Sequence, residues 1–267
     1  MIYPFPLTNR WPLIGMLHLP PLPGSPQSGK SLAEIVRHTL ADAEVLATAG
    51  FDGLMLENFG DSPFYPERVP AITVAAMTTV AVEVRRAFPQ LPMGINVLRN
   101  DGRSALAIAA AVGAAFIRVN VLCGARVTDQ GVISGIAHDL LRERAALKAE
   151  VAIWADVAVK HSAALAPRPL AEEARELVER GGADAVLVTG SATGSAPNRE
   201  ELREVRDAVG ERPVFVASGI TAENLLQFSA ATGFIVGSAL KPNGNPAAPI
   251  DSVLANRLPH AACSLPQ

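Results

Sequence analysis

An alternation repeated eight times constrains this chain more than any other feature. Short runs rich in β-branched and apolar residues occupy 13–19, 52–58, 93–98, 115–122, 151–160, 184–190, 213–219 and 233–240. Between them lie stretches with helical periodicity, 31–49, 70–87, 103–112, 134–149, 170–180, 198–209 and 221–230, and a last helix is expected near 250–257. A strand turns successive side chains to opposite faces and a helix returns to one face every 3.6 residues, so the two patterns separate cleanly. Eight strand–helix units in 267 residues predict one (β/α)8 TIM barrel spanning 1–267, with a short irregular tail at about 258–267. The alternative, a doubly wound open sheet, carries a glycine-rich dinucleotide turn after its first strand. Here that place holds the proline-rich "PPLPGSP", so the barrel is preferred.

Composition narrows the function classes. With 49% hydrophobic and 18% charged residues the chain can bury a large core. A net charge of −3 and scattered basic residues exclude the basic footprint of a nucleic-acid binder. Two cysteines, Cys123 and Cys263, make neither a disulfide framework nor a metal motif, which points to a reducing, cytoplasmic setting. Cys123 reads as a small buried residue. "MIYPFPLTNRW" lacks a signal-peptide pattern, and "SALAIAAAVGAAFI" is shorter than the roughly 18–20 residues that cross a bilayer, so no stable membrane insertion is expected.

Inside a barrel one side of each strand faces the helices and the other faces inward. In "ADVAVKHS" (155–162), Val157 and Val159 suit the helix side, which turns Asp156 and Lys160 inward, Lys160 at the C-terminal mouth where barrel enzymes place their chemistry. The same parity turns His18, Glu57, Asn96, Arg118, Asn120 and Thr189 inward. Such groups are costly without partners, roughly 1–3 kcal/mol each. Arg118 reads equally as half of a core ion pair with Asp156 or Glu57. Glu57, Asp156, Lys160 and Asn120 are the candidate catalytic groups, because clustered ionisable side chains shift one another's pKa values. Lys160 can serve as Schiff-base nucleophile, proton donor or electrostatic clamp, and the sequence does not choose. His161 has helix-side or loop parity unless a bend at the strand end turns it in, and with His18, Asn58, Asn96, Arg118, Asp129, Thr189 and Gly190 it is a candidate substrate contact. No zinc motif is present, and Glu57 with Asp156 is a candidate Mg²⁺ pair.

Glycine-bearing turns follow the last three strands: "VTGSATGS", "ASGITAEN" and "VGSALK". Barrels often bind phosphate with the loops after strands seven and eight. Ser218, Gly219, Ile220, Gly237 and Ser238 are the candidate phosphate contacts, with Thr189 and Gly190 beside them. Two long mouth segments, 58–70 and 122–135, read as lids or substrate contacts, or else as surface excursions used between subunits; Asn58, Asp61 and Asp129 are candidates there.

Several stretches, "IGMLHLPPLPGSP", "LENFGDSPF", "INVLRNDGRSALAIA", "IRVNVLCGARVTDQG", "ADVAVKHS", "VTGSATG" and "SGITAEN…VGSALK", closely resemble the BtpA/SgcQ family. The resemblance runs from about residue 11 to 241; Ser162 stands where alanine is usual, and the tail from 258 lies outside the pattern. It implies a TIM barrel and no single reaction, because one branch is linked to photosystem I biogenesis and the other to sugar uptake and carbohydrate metabolism. Its motifs fall on mouth positions, adding Arg99, Asn100 and Asp101 to those above. Two function classes follow. One is a cytoplasmic enzyme acting on a phosphorylated sugar or nucleoside-like metabolite, as lyase, isomerase or glycosyl-bond hydrolase. The other is an assembly factor for a membrane complex, which calls for an exposed apolar patch or a basic surface; a small-molecule sensor is a third, lesser reading. A homo-oligomer is compatible with every one of them.

Overall fold

The computed structural model describes residues 2–5, 11–190 and 192–263. Its elements, in chain order, are β1 (Leu13–His18), α1 (Leu32–Ala49), β2 (Gly53–Glu57), α2 (Ala71–Ala87), β3 (Met93–Asn96), α3 (Gly102–Val112), β4 (Phe116–Val119), β5 (Ala125–Thr128), β6 (Gly131–Ser134), α4 (Ala137–Ala146), β7 (Ala152–Asp156), β8 (Ser162–Ala164), α5 (Leu170–Glu179), β9 (Ala185–Val188), α6 (Arg199–Val209), β10 (Val214–Val216), β11 (Gly233–Val236) and α7 (Ser252–Cys263). Eight parallel strands close into a barrel in the order β1-β11-β10-β9-β7-β4-β3-β2, and β6-β5-β8 form a separate antiparallel sheet. The predicted (β/α)8 barrel is the fold.

Local chemistry sets the helix ends. Ser31 and Glu34 form a reciprocal capping box on α1, and Asn198 with Glu201 does the same on α6; such caps are worth about 1 kcal/mol each. The expected helix over 221–230 does not form. Asn224 accepts the Thr221 N–H at 2.8 Å and donates to the Gly219 carbonyl at 2.8 Å, and the Leu225 N–H reaches the Thr221 carbonyl at 3.1 Å, so one capped turn forms and is not continued as an α-helix. Only a 3₁₀ turn, Leu225–Phe228, remains. The segment 122–135 is not an irregular loop but the β5–β6 hairpin, with β8 paired along its other edge. The irregular tail is corrected over 258–263, where α7 runs through Pro259 to Cys263 and buries Leu258 and Ala262; 264–267 lie outside the described residues. The Cys263 side chain lies outside the described residues.

The barrel interior is layered. At its base Phe116, Trp154 and Phe215 stack, with centroid separations of 4.1 and 4.4 Å, and Phe5 of the N-terminal segment packs on all three. Glycines make room for these rings: a Cβ at Gly94 would sit 2.2 Å from Phe116, and one at Gly233 2.4 Å from Phe215. Above the aromatic floor the inward positions turn polar. Along the register His18 pairs with Glu57, Glu57 with Asn96, and Asn96 with Arg118. The helix-facing positions Leu54, Leu56, Ile117, Val119 and Val157 join the outer core.

Candidate active site

Strand geometry delivers His18, Glu57, Asn96, Arg118 and Asp156 to the C-terminal end of the barrel, all of them buried, with Asn120 and Thr189 just beyond β4 and β9. The centre of this layer is a clamp. Arg118 donates from Nε to Asp156 Oδ2 (3.0 Å) and from Nη2 to Oδ1 (2.9 Å), and Asn120 Nδ2 donates to Oδ2 at 2.6 Å. Burial opposes the Arg118 charge, but the Asp156 carboxylate outweighs it and raises its pKa. Of the two readings of Arg118, the ion pair is therefore the observed one. Asp156 has both oxygens engaged, so it orients Arg118 and Asn120 and is not a free base. That also corrects the Mg²⁺ pair, since a carboxylate held this way is not presented to a cation. Among the described residues no group of three His, Cys, Asp or Glu side chains converges as a metal site.

Lys160 reaches the site by a route that strand parity does not describe. β7 ends at Asp156, and positive φ angles at Ala158 (46°) and His161 (56°) turn the chain. Val159 is consequently not on the helix side; it packs with Val121 and Ile133 under the hairpin. Lys160 is half-buried, and among the described residues its amine makes neither a hydrogen bond nor an ion pair. Burial, followed by the charge of Arg118, lowers its pKa, against the opposing pull of Glu57 and Asp156. Glu57 is 4% exposed, and its nearest basic atom is His18 Nε2 at 3.8 Å. His18 is neutral: burial, then Lys241, Lys160 and Arg118, push it down to about 3. That contact is therefore not an ion pair.

Three buried polar atoms in this layer have no partner among the described residues: His18 Nδ1, Asn96 Oδ1 and Thr189 Oγ1. Asn96 spends its Nδ2 on the Arg118 carbonyl at 3.1 Å. Arg99, which the parity argument cannot reach because it follows β3, is 5% exposed and donates to the Lys160 carbonyl at 2.6 Å. Burial lowers its pKa, while Asp156, Asp129 and Glu57 raise it. The charged groups acting on one another here are Arg99, Arg118 and Lys160 on one side and Glu57, Asp156 and, from the hairpin, Asp129 on the other.

Other predicted residues turn out to be braces. Asn58 accepts the Leu98 N–H at 2.7 Å and donates to Asp61, which in turn accepts the Leu22 N–H at 2.8 Å. Asn100 bonds both backbone groups of Val121, and Asp101 caps α3. Asp129 is exposed at the hairpin tip, near enough to raise the pKa values of Arg99 and His161. His161 is exposed in the loop after β7, as its parity allows. Its Nε2 accepts the Thr193 N–H at 3.3 Å and lies 3.0 Å from Thr193 Oγ1, bridging the loops after β7 and β9.

At the predicted phosphate end a cavity of about 570 Å³ is lined by Gly219 and Ser238, together with Thr193, Gly194, Ser195, Thr221 and Arg257. Gly219 has φ +67°, and a Cβ there would lie 2.0 Å from the Ala196 nitrogen, so only glycine lets the two loops meet. The other candidates do different work. Ser218 donates to the Ser195 carbonyl and accepts the Gly190 N–H, tying loops together and using up both groups. Ile220 is buried in the outer core, and Gly237 lies beneath His18. Sequence reasoning missed Lys241, whose amine is fully buried, 3.4 Å from Asp42 and 2.6 Å from the Ala248 carbonyl. Its partner is 199 residues away, and no local pattern signals it.

Among the described residues no helix is long and apolar enough to cross a membrane. Solved structures share the fold at low identity. Phosphoribosyl anthranilate isomerase from Thermus thermophilus superposes with a TM-score of 0.58 at 14% identity, covering 96% of this chain and 100% of that one. A 3-keto-L-gulonate-6-phosphate decarboxylase from Vibrio cholerae gives 0.55 at 14%, covering 96% and 98%. Sequence relatives are much nearer. A Synechocystis protein named photosystem I biogenesis protein BtpA is 47% identical over 243 residues, 91% of this chain and 84% of that one. A Caenorhabditis elegans protein described as mitochondrial is 39% identical, covering 89% and 88%. The BtpA family model matches residues 9–263, well beyond the 11–241 that the motifs span. With that match over nearly its whole length, the chain belongs to the BtpA family.

Proposed function

We propose that this barrel is an enzyme acting on a phosphorylated small molecule, with Glu57 transferring a proton and Lys160 supplying a cation or amine to the reacting carbon skeleton. The observation that carries this reading is the set of unpartnered polar atoms at the mouth. Among the described residues His18 Nδ1, Asn96 Oδ1 and Thr189 Oγ1 lack partners, in a layer where Arg118 and Asp156 satisfy each other. Buried polar atoms without partners are costly in a structure that serves only stability, and a hydroxyl-bearing ligand would satisfy them. Arg99 and Lys160, which form no ion pair among the described residues, favour an anionic ligand. Gly219 and Ser238 would receive its phosphate, and Arg257 stands at the rim of the same cavity. The fold neighbours, a phosphoribosyl anthranilate isomerase and a keto-gulonate-phosphate decarboxylase, bear names of the same substrate class.

A thermal-shift screen against inorganic phosphate, sugar phosphates and nucleotides, with and without Mg²⁺, tests it. A ligand at about 100 times its Kd adds about 2.7 kcal/mol. Stabilisation by phosphorylated compounds, absent for the unphosphorylated sugars, supports the reading; a well-folded protein that none of them stabilises refutes it. A second reading, a binding scaffold for a membrane complex, draws on the Synechocystis relative's name. One observation favours it: Val127 and Val132, paired on the outer face of the small sheet, are 42 and 57% exposed. In a host that needs such a factor, Lys160→Ala retaining full assembly function would favour the scaffold.

A further inference from the structure

The three-stranded sheet does not close tightly on the barrel. Val127 pairs with Val132 and with Ala163 on its outer face, which turns Arg126, Ile133 and Ala164 inward. Between that inner face and α5 lies a cavity of about 210 Å³. Val121, Ala164, Leu165 and Leu177 wall it, and Asn120 and Asp156 form its inner end. Alanines at 125, 164 and 166 leave the space that larger side chains would fill. Its charged residues are already matched, Arg126 with Glu173 and Arg168 with Glu176 at 2.7 Å, so the cavity offers a ligand no unpaired charge. Its volume exceeds the roughly 150 Å³ of an apolar cavity that admits benzene.

Position gives the cavity its meaning. Its lining comes from α5 and from the segments after β4 and β7, while the anion cavity is lined by the segments after β9, β10 and β11, and β7 and β9 are neighbours in the barrel. The His161–Thr193 bridge joins the segment after β7 to Thr193 in the lining of the anion cavity. We infer that the cavity under the small sheet is a second subsite of the mouth, and that it receives an uncharged aromatic or heteroaromatic ring carried by the phosphorylated substrate. This rests on the proposed function for the phosphate half, and on the cavity alone for the ring half. It narrows the substrate class to phosphate esters bearing such a ring, and sets simple sugar phosphates aside.

The experiment uses benzimidazole and indole as ring probes and inorganic phosphate as a separate probe, followed by NMR titration of the full chain. Benzimidazole should bind with a Kd in the millimolar range, as small rings do. Leu177→Phe and Ala164→Phe, which fill the cavity from its two sides, should each weaken it about tenfold or more and leave phosphate affinity unchanged. Two variants guard against one that does not fold. Absence of ring binding, or equal ring affinity in wild type and the folded filled variants, overturns the subsite. Ring binding that the fillings abolish, in a protein that ignores phosphate, upholds the subsite and overturns the phosphate reading instead.

Discussion

Lowering the pH from about 7.5 to about 5 should cost the wild-type chain about 2 kcal/mol of stability that a His18→Gln variant keeps. The reasoning starts from a histidine with 9% exposure at the barrel mouth. Burial, then Lys241, Lys160 and Arg118, move its pKa from 6.5 to about 3. The folded protein therefore refuses a proton that the unfolded chain accepts. Where the unfolded state binds more protons, stability rises with pH and is lost as pH falls. The contribution of neutral His18 is complete above 6.5, is lost progressively as pH falls, and levels off near 3. Integrating from the unfolded value down to about pH 5 gives about 2 kcal/mol, a figure insensitive to the folded value as long as that stays well below 5. His38 and His161 are shifted down as well, first by burial, and add a slope of the same sign to both proteins. The difference between wild type and variant isolates His18. Urea denaturation at a series of pH values measures it. Parallel stability curves, differing in pH dependence by less than about 0.5 kcal/mol, would refute the claim that His18 is held neutral.

Removing one partner of the central clamp should be far worse than removing both. Arg118→Met leaves Asp156 buried and unpaired and should cost about 3–5 kcal/mol by chemical denaturation, whereas Arg118→Met with Asp156→Leu should recover much of that. Lys160 should label faster than ordinary lysines with acetic anhydride near neutral pH, because its lowered pKa leaves more free amine; mass spectrometry across pH reads this, and a labelling midpoint at the usual lysine value would contradict it. Lys160→Ala should change stability by less than about 1 kcal/mol, since among the described residues its amine has no hydrogen bond or ion pair to lose, while abolishing turnover of any substrate found. Gly219→Ala should destabilise by about 1–3 kcal/mol through its positive φ and the 2.0 Å approach of Ala196, and should weaken phosphate binding; wild-type phosphate affinity in the folded variant would remove Gly219 from the site.

Part of the site is legible in the sequence alone. Period-two alternation is a property of a few adjacent residues, so the inward direction of Glu57, Asn96, Arg118 and Asp156 followed once a barrel was assumed, and the eight-fold alternation itself supplied the barrel. The same rule failed for Lys160 and Val159, because it holds only while the backbone stays extended and Ala158 leaves that region at φ 46°. It was silent on Arg99, whose place in the loop after β3 brings it to the Lys160 carbonyl, 61 residues on. The hairpin escaped notice because β5 and β6 are four residues each and take their third strand from β8, far along the chain.

By itself the sequence determined what short-range physics controls: strand and helix phases, the capping boxes at Ser31 and Asn198, and which face of each strand is polar. The tertiary structure alone decided which polar groups satisfy one another and which remain free. Asp156 changed from a candidate base to the anion of a clamp, Ser218 from a phosphate contact to a tie between loops, and Lys241 came to lie buried against Asp42. Partnership depends on distances between residues tens to hundreds of positions apart, and only closure of the barrel brings those distances into being.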